Sequence, residues 1–254
     1  MTKAESKVID FIKKHILLFL LVAVTIIAIF LRVCGMDFQS DDFNSFLNSW
    51  WSIIKLNDFT GLATQVGNYN IPYQVIIYLM TLLPLNALYA YKIVSIIFDF
   101  VLAISTAMLV YSFAKNNRRL KAILTYSAVL LSATVIFNSS FWAQCDSIYT
   151  SFIILAILFL HKDKPIASFV FIGIAFAFKL QTVFIIPVLL YYWISTKKIS
   201  ILHFFIIPAL DVIMCLPAII MGRPFIDIIT IYAEQTDYCL LYTSPSPRDT
   251  ERSR

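Results

Sequence analysis

Long apolar runs, separated by short charged clusters, constrain what this chain can fold into. Residues 15–33 and 87–113 each form a run long enough to cross a bilayer core, which takes about 20 residues of α-helix. Only 14% of the residues are charged and 60% are hydrophobic, whereas soluble domains carry about 25% charged residues. The pattern predicts an all-α polytopic membrane protein. The basic residues behind the net charge of +5 lie between apolar runs, so they do not favour a nucleic acid as partner.

Further apolar runs follow, and together they predict about seven transmembrane helices. These are residues 15–33, 87–113, 122–137, 147–160, 166–178, 183–194 and 201–221. Several are short, so we expect tilted helices or local thinning of the bilayer. Residues 35–70 form the first external loop, where large apolar side chains at helical spacing over 43–56 predict an amphipathic juxtamembrane helix. Residues 71–83 are too few for a full span and favour a re-entrant or juxtamembrane segment.

Lysine and arginine are concentrated on one side of this arrangement. Of the 17 such residues that precede residue 239, 12 lie in clusters at 3–14, 115–121, 162–164 and 197–198. Loops rich in lysine and arginine stay in the cytoplasm. The sequence therefore predicts a multi-pass protein of the cell membrane with a cytoplasmic N-terminus and with most of its carboxylates on the extracytoplasmic face.

A polar, aromatic-rich segment interrupts the apolar runs at residues 138–149, Asn-Ser-Ser-Phe-Trp-Ala-Gln-Cys-Asp-Ser-Ile-Tyr. A loop between two membrane helices needs only a few solvated residues, so this density of polar groups favours a role in binding or chemistry. The alternative is a short interfacial turn, in which Trp142 and Tyr149 are ordinary interface anchors.

Other polar groups fall on the same predicted outer face. They are Asp41, Asp42, Tyr73, Gln144, Asp146, Lys179, Gln181 and Arg223. Cations can hold a phosphate, amides can read hydroxyls, and a carboxylate can accept a proton from an attacking hydroxyl. The set suits a lipid-phosphate substrate with a sugar head group. No phosphate-binding glycine motif occurs, and we expect no metal site, because the four cysteines and three histidines are scattered.

Several segments resemble one enzyme family. They are SDDFNSFLNSW (40–50), GNYNIPY (67–73), NSSFWAQCDSIYTSF (138–152), AFAFKLQTVFIIP (175–187) and GRPFIDIITIYAEQTDY (222–238), together with the helix that carries Lys92 and Asp99. This combination resembles bacterial relatives of the second mannosyltransferase of GPI-anchor assembly, which are GT-C glycosyltransferases. The resemblance implies a hexosyltransferase that takes mannose or another hexose from a polyprenyl-phosphate donor on the outer membrane face. The acceptor would be a glycan, a lipid or a protein, with no further cofactor.

The resemblance also implies roles for individual residues. Asp42, with Asp41 as second choice, would be the catalytic base that activates the acceptor hydroxyl. Asp146 and Gln144 would line the same cavity, with Trp142 and Tyr149 stacking on the sugar and Tyr73 beside them. Lys179 would pair with the donor phosphate, helped by Arg223 and next to Gln181.

Alternatives remain open at each of these positions. One of the two aspartates could instead cap the helix that follows, and Lys179 could be a lysine that snorkels to the interface. A carboxylate inside a membrane is costly unless it is paired, so Asp99 is interpreted as the partner of Lys92, seven residues earlier. A transporter or flippase of lipid-linked sugars, without bond chemistry, is the competing function.

The last residues have a different character. Residues 239–254, beginning Cys-Leu-Leu-Tyr-Thr-Ser-Pro-Ser-Pro-Arg-Asp, resemble the translation of a transposase-type sequencing adapter. We therefore interpret residues 1–238 as the N-terminal part of a GT-C-type transmembrane domain and 239–254 as a non-native tail. A fragment that lacks the family's C-terminal helices could be inactive. The alternative is a flexible tail rich in serine and proline.

Overall fold

A computed structural model describes residues 2–233, and this part of the chain contains helices and turns but no β-strand. The helices are α1 (Lys3–Val33), α2 (Asn48–Asn57), α3 (Ile71–Thr81), α4 (Ala87–Phe113), α5 (Arg118–Leu130), α6 (Ala133–Ile136), α7 (Asp146–His161), α8 (Pro165–Phe178), α9 (Ile186–Thr196), α10 (Ile206–Met214) and α11 (Leu216–Ile220). Residues 225–233 are helical as well. The predicted all-α class is confirmed, and the tail interpreted as non-native lies outside the described residues.

Within this part of the chain, two helices are long and apolar enough to cross a membrane, namely α1 with 31 residues and α4 with 27. A third candidate is α5 followed by residues 133–141, if this pair, bent by 51°, forms one span. The remaining apolar helices are shorter; α7, with 16 residues, is about 24 Å long, less than the roughly 30 Å of a bilayer core. Helix length and composition thus identify two or three possible spans, and the seven-span arrangement stays a prediction.

The helix α4 lies at the centre of the packing. It packs against α5 and α7, α7 packs against α8, and α8 packs against α10, while α1 rests on α5. On α1 only Val24, Ala28 and Arg32 are buried, and most of its remaining apolar surface is exposed. Such a surface is stable in contact with lipid, which agrees with a helix at the edge of a membrane bundle.

A buried ion pair joins α1 to α4, and it corrects the expected pairing of Asp99. The guanidinium of Arg32 contacts Asp99 Oδ2 at 2.9 Å, and both side chains are buried. Ser139 and Ser147 each donate a hydrogen bond of 2.6 Å, to Oδ2 and Oδ1 of the same carboxylate. Lys92 is therefore not the partner of Asp99, because seven residues of helix separate them by about 10 Å along the axis.

Lys92 instead binds the turn that follows α1. Its Nζ donates to the carbonyl oxygens of Gly35 at 2.8 Å and Met36 at 3.0 Å, and it also reaches the carbonyl of Phe38. These carbonyls belong to the turn that follows Val33, and a buried ammonium needs such acceptors to offset its loss of water. Lys92 thus fixes the path of the chain as it leaves α1, just before Asp41 and Asp42.

Candidate functional site

The two aspartates lie in the first turn of a helix that runs from residue 41 to Asn57, with a π-helical stretch at Phe43–Leu47 before α2. Ser40 precedes them, and its hydroxyl accepts a hydrogen bond of 3.1 Å from the backbone N–H of Phe43. Since Ser40 fills the capping position, the alternative that one aspartate caps this helix is wrong. Both aspartates are exposed and available for other contacts.

The segment 138–149 approaches Asp42 from the opposite side. It begins in a second π-helical stretch, Phe137–Phe141, and turns sharply at Ala143, whose φ of 57° is left-handed. The turn presents Gln144, whose Nε2 donates to Asp42 Oδ2 at 2.8 Å. The amide oxygen of Gln144 accepts from the Tyr69 hydroxyl at 3.2 Å. Gln144 therefore orients the Asp42 carboxylate, and Tyr69 orients Gln144.

Lys179 lies at the break after α8 and is surrounded by polar and aromatic groups. Its ammonium pairs with Asp146 Oδ1, while Asn138 Nδ2 donates to the other carboxylate oxygen of Asp146 at 2.9 Å. The same ammonium lies 5.5 Å from the ring centroid of Tyr69 and 5.6 Å from that of Tyr149. These contacts hold Lys179 inside the site, which argues against a lysine that merely snorkels.

At neutral pH the Lys179 side chain is positively charged and the Tyr69 side chain is neutral, as the direction of each pKa shift indicates. Burial acts to lower the pKa of the Lys179 ammonium, but the Cys145 sulfur and the Asp146 carboxylate raise it, and the net shift is upward. Burial also raises the pKa of the Tyr69 phenol well above its usual value. At neutral pH the site therefore offers one fixed cation and a phenol that keeps its proton.

A small cavity opens beside Asp42. It has a volume of about 220 Å³, and its lining consists of Asp42, Phe46, Leu47, Trp50, Asn68, Tyr69 and Gln144. We call it the Asp42 cavity. Two of its walls are aromatic, with the Trp50 and Tyr69 rings edge to face at a centroid distance of 5.6 Å. A carboxylate, amides and aromatic faces are the groups that bind a sugar, since its hydroxyls need hydrogen bonds and its C–H faces pack on rings.

The loop that carries Tyr69 is held from behind. Gln74 Nε2 donates to the carbonyl of Tyr69 at 3.0 Å and to Gln65 Oε1 at 3.1 Å. Arg223, predicted to help hold the donor phosphate, is buried and donates to the same Gln65 oxygen. The structure therefore places Arg223 behind the Tyr69 loop, and its role toward phosphate remains a prediction.

The other predicted binding residues occupy different places. Trp142 is 52% exposed and does not line the Asp42 cavity, and its carbonyl accepts a hydrogen bond from the Ser40 hydroxyl at 3.4 Å. Gln181 is exposed two residues after Lys179, and among the described residues no side-chain hydrogen bond ties it to the others. Tyr73 is buried beside the Tyr69 ring, at a centroid distance of 4.9 Å, and does not line the cavity.

The structure also brings Tyr69, Asn138 and Trp50 to the site. The sequence analysis included them only within longer segments, namely 67–73, 138–149 and 40–50, and assigned no site role to any of the three. For Tyr69 a signal existed, because Asn70 followed by Pro72 is a helix-start pattern. It places Tyr73 inside α3 and Tyr69 in the preceding loop, where the side chain is free to face a cavity. Asn138 lies in the polar segment 138–149, but its hydrogen bond to Asp146 depends on how the chain turns between them. Trp50 had no signal, since its role depends on packing against the Tyr69 loop.

Within residues 2–233, no group of three or more His, Cys, Asp or Glu side chains is arranged to hold a metal ion. Comparison of the chain with protein-family models, with curated proteins and with solved structures found no match.

Proposed function

We propose that this protein is a membrane glycosyltransferase that moves a hexose from a polyprenyl-phosphate donor to an acceptor hydroxyl on the extracytoplasmic face. The observation that carries the proposal is the chain of contacts from Asp42 through Gln144 and Tyr69 to Lys179 and Asp146. Asp42 lines an aromatic and amide-lined cavity, and the Lys179 cation lies 5.5 Å from the ring of Tyr69, which forms part of that lining.

In the proposed reaction Asp42 accepts the proton of the acceptor hydroxyl, whose oxygen forms a bond to the anomeric carbon of the sugar. The bond between that carbon and the phosphate oxygen breaks, and the electron pair leaves with the polyprenyl phosphate. Lys179 stabilises the charge that develops on this phosphate. Asp146 and Asn138 hold Lys179 in place, while Trp50, Tyr69, Trp142 and Tyr149 offer faces to the sugar.

The proposal includes a membrane arrangement. The basic clusters of the sequence would lie in the cytoplasm and the Asp42 cavity outside, with the shorter apolar helices as tilted additional spans to a total of about seven. This arrangement is supported by Asp42, Gln144 and Lys179, which all lie near ends of helices on the face predicted to be extracytoplasmic. A donor within the outer leaflet can present its phosphate there.

The decisive experiment measures sugar transfer by the purified protein from defined polyprenyl-phosphate hexoses, with Asp42→Asn, Asp41→Asn and Asp37→Asn compared. General-base catalysis contributes about 10²–10⁴-fold, so we expect a loss of that size for Asp42→Asn. Asp37→Asn is the matched control, because Asp37 lies in the same loop but contacts Tyr89 outside the Asp42 cavity. Loss in Asp41→Asn alone would move the base to Asp41, and transfer at full rate in both variants would refute the proposal.

The same preparation separates transfer from transport. A flippase would move a labelled donor across a vesicle membrane while the bond between sugar and phosphate stays intact. A glycosyltransferase releases polyprenyl phosphate in proportion to glycosylated acceptor. Relocation of the donor without released polyprenyl phosphate would favour the flippase.

A further inference from the structure

A groove runs between α1, α4 and α5 at the end of the molecule away from the Asp42 cavity. One part has a volume of about 620 Å³ and another about 520 Å³. The two parts share four lining residues, Leu21, Tyr111, Ala122 and Ile123, so they adjoin each other. Each volume lies within the roughly 300–1,000 Å³ of small-molecule sites.

The groove is apolar along its length. Its interior consists mainly of aliphatic and aromatic side chains from the three helices, including Ile104, Ala107 and Met108 of α4. Four lining residues carry hydroxyls, namely Thr25, Tyr111, Ser112 and Tyr126. Thr25 and Tyr126 lie 3.0 Å apart and hydrogen-bond to each other, and Ser112 donates to the carbonyl of Leu109 at 2.7 Å. A hydrocarbon chain could therefore occupy the groove while the hydroxyls of Thr25, Ser112 and Tyr126 keep their hydrogen bonds.

Among the described residues, cations line the groove and no carboxylate does. The cations are Lys13, Lys14, Arg118, Arg119 and Lys162. Arg118 is fixed, because its Nε donates to the carbonyl of Ala114 at 2.6 Å and its guanidinium lies 5.6 Å from the Tyr111 ring centroid. Asp163, which neighbours Lys162 in the chain, is paired with Lys198 at 2.8 Å. The rim therefore carries a net positive charge.

We propose that this groove binds one anionic glycerophospholipid of the surrounding leaflet. An acyl chain lies between α1, α4 and α5, and the phosphate meets the cations around Arg118 and Lys162. Basic pockets between membrane helices favour anionic head groups, by about five-fold in affinity for each cation near the surface. The inference is independent of the proposed sugar transfer, since the groove and the Asp42 cavity have different lining residues throughout the described chain.

The test is native mass spectrometry of the detergent-solubilised protein titrated with phosphatidylglycerol or with phosphatidylcholine of the same acyl chains. We expect one retained phosphatidylglycerol, bound more than ten-fold more tightly than phosphatidylcholine. The charge variant Arg118→Gln/Lys162→Gln is expected to remove this preference. Lys55→Gln/Lys197→Gln is the matched control, because both lysines are exposed and lie outside the groove.

A second variant tests the apolar part. Ala107→Phe fills the groove next to Met108 while it leaves every cation in place, so it is expected to reduce retention of both lipids. Equal retention of the two lipids, or a preference that the Arg118→Gln/Lys162→Gln variant keeps, would overturn the proposal. So would size-exclusion data showing a dimer that the Ala107→Phe variant breaks, since a second copy of the chain would then occupy the groove.

Discussion

At the scale of single residues, Gln144 makes Asp42 differ from its neighbour Asp41. The two carboxylates are adjacent in sequence and both exposed, yet of the two it is Asp42 that receives the Gln144 amide and lines the cavity. A hydrogen bond to a carboxylate fixes the direction of its remaining lone pairs. One oxygen of Asp42 is thus held by Gln144, and the other can face an acceptor hydroxyl.

The Tyr69 hydroxyl orients Gln144, which in turn orients the Asp42 carboxylate. Tyr69→Phe removes the 3.2 Å hydrogen bond to Gln144 but keeps the ring that faces Lys179 and Trp50. A net hydrogen bond contributes about 0.5–1.5 kcal/mol, so we expect kcat/KM for transfer to fall about three- to ten-fold with little change in thermal stability. Tyr191→Phe, at a ring that is 73% exposed, is the control. An unchanged kcat/KM would mean that Gln144 needs no support from Tyr69.

Asp99 and Arg32 test the cost of an unpaired charge in the interior. Asp99→Ala leaves the Arg32 guanidinium buried without its counter-ion, and breaking such a pair costs about 3–5 kcal/mol. We expect a lower Tm in detergent and a smaller folded yield. The double variant Arg32→Met/Asp99→Leu removes both charges and should recover most of the loss. A double variant no more stable than Asp99→Ala would show that the serine contacts, not the charge balance, dominate.

At the scale of elements, the site is built where regular α-helix is interrupted. Two π-helical stretches flank it: one follows Asp42, and the other contains Asn138 and precedes Gln144. Such interruptions occur frequently at functional sites, because they redirect side chains that a regular helix would send elsewhere. Asp99 fastens the second stretch to α7 through Ser139 and Ser147, the direct neighbours of Asn138 and Asp146. Asp99 therefore holds the two sides of the 138–149 loop together.

The loop before Tyr69 depends on a glycine. Gly67 has a left-handed φ of 71°, and a Cβ at this position would lie 2.2 Å from Trp50 Cε2. Gly67→Ala therefore adds about 1–2 kcal/mol of backbone strain and displaces Trp50 from the cavity wall. We expect a lower Tm and a shifted tryptophan emission.

The matched control for this glycine is Gly222→Ala. Gly222 also has a positive φ, of 92°, but a methyl group added there would meet no described atom within 4 Å. The control therefore carries the backbone strain without the collision with a side chain. Equal effects of both variants would assign the loss to backbone strain alone.

At the scale of the whole molecule, the proposed orientation in the membrane makes a chemical prediction. Cys34 is exposed at the end of α1, whereas Cys145 and Cys215 are buried. A maleimide that cannot cross membranes should label Cys34 in intact cells. In a Cys34→Ser background, a cysteine introduced as Lys197→Cys should react only after permeabilisation. Labelling of Lys197→Cys in intact cells would contradict the proposed orientation.

Hydropathy and periodicity were enough to predict the all-α class of the described chain. Apolar runs as long as those at 15–33 and 87–113 are poorly solvated in water, and the observed helices α1 and α4 include these residues. The helical pattern over 43–56 was confirmed because Trp50, Trp51 and Ile54 share one buried face. These features follow from local sequence, which each segment carries on its own.

The packing of the helices settled which polar groups meet. Asp42 and Gln144 are separated by 102 residues, and Arg32 and Asp99 by 67. Lys92 and Asp99 share a helix face in the sequence pattern, but they do not pair. Asp99 contacts Arg32 of α1, and Lys92 contacts Gly35 in the turn after α1. These groups are closer to each residue than the other residue is, two turns away on the same helix. Tyr69 rather than Tyr73 lines the cavity because α3 begins between them. Ser40 rather than an aspartate caps the next helix because that helix begins at residue 41. Hydropathy indicates which segments are helices, whereas the partners of a buried charge depend on contacts between helices that the sequence pattern does not register.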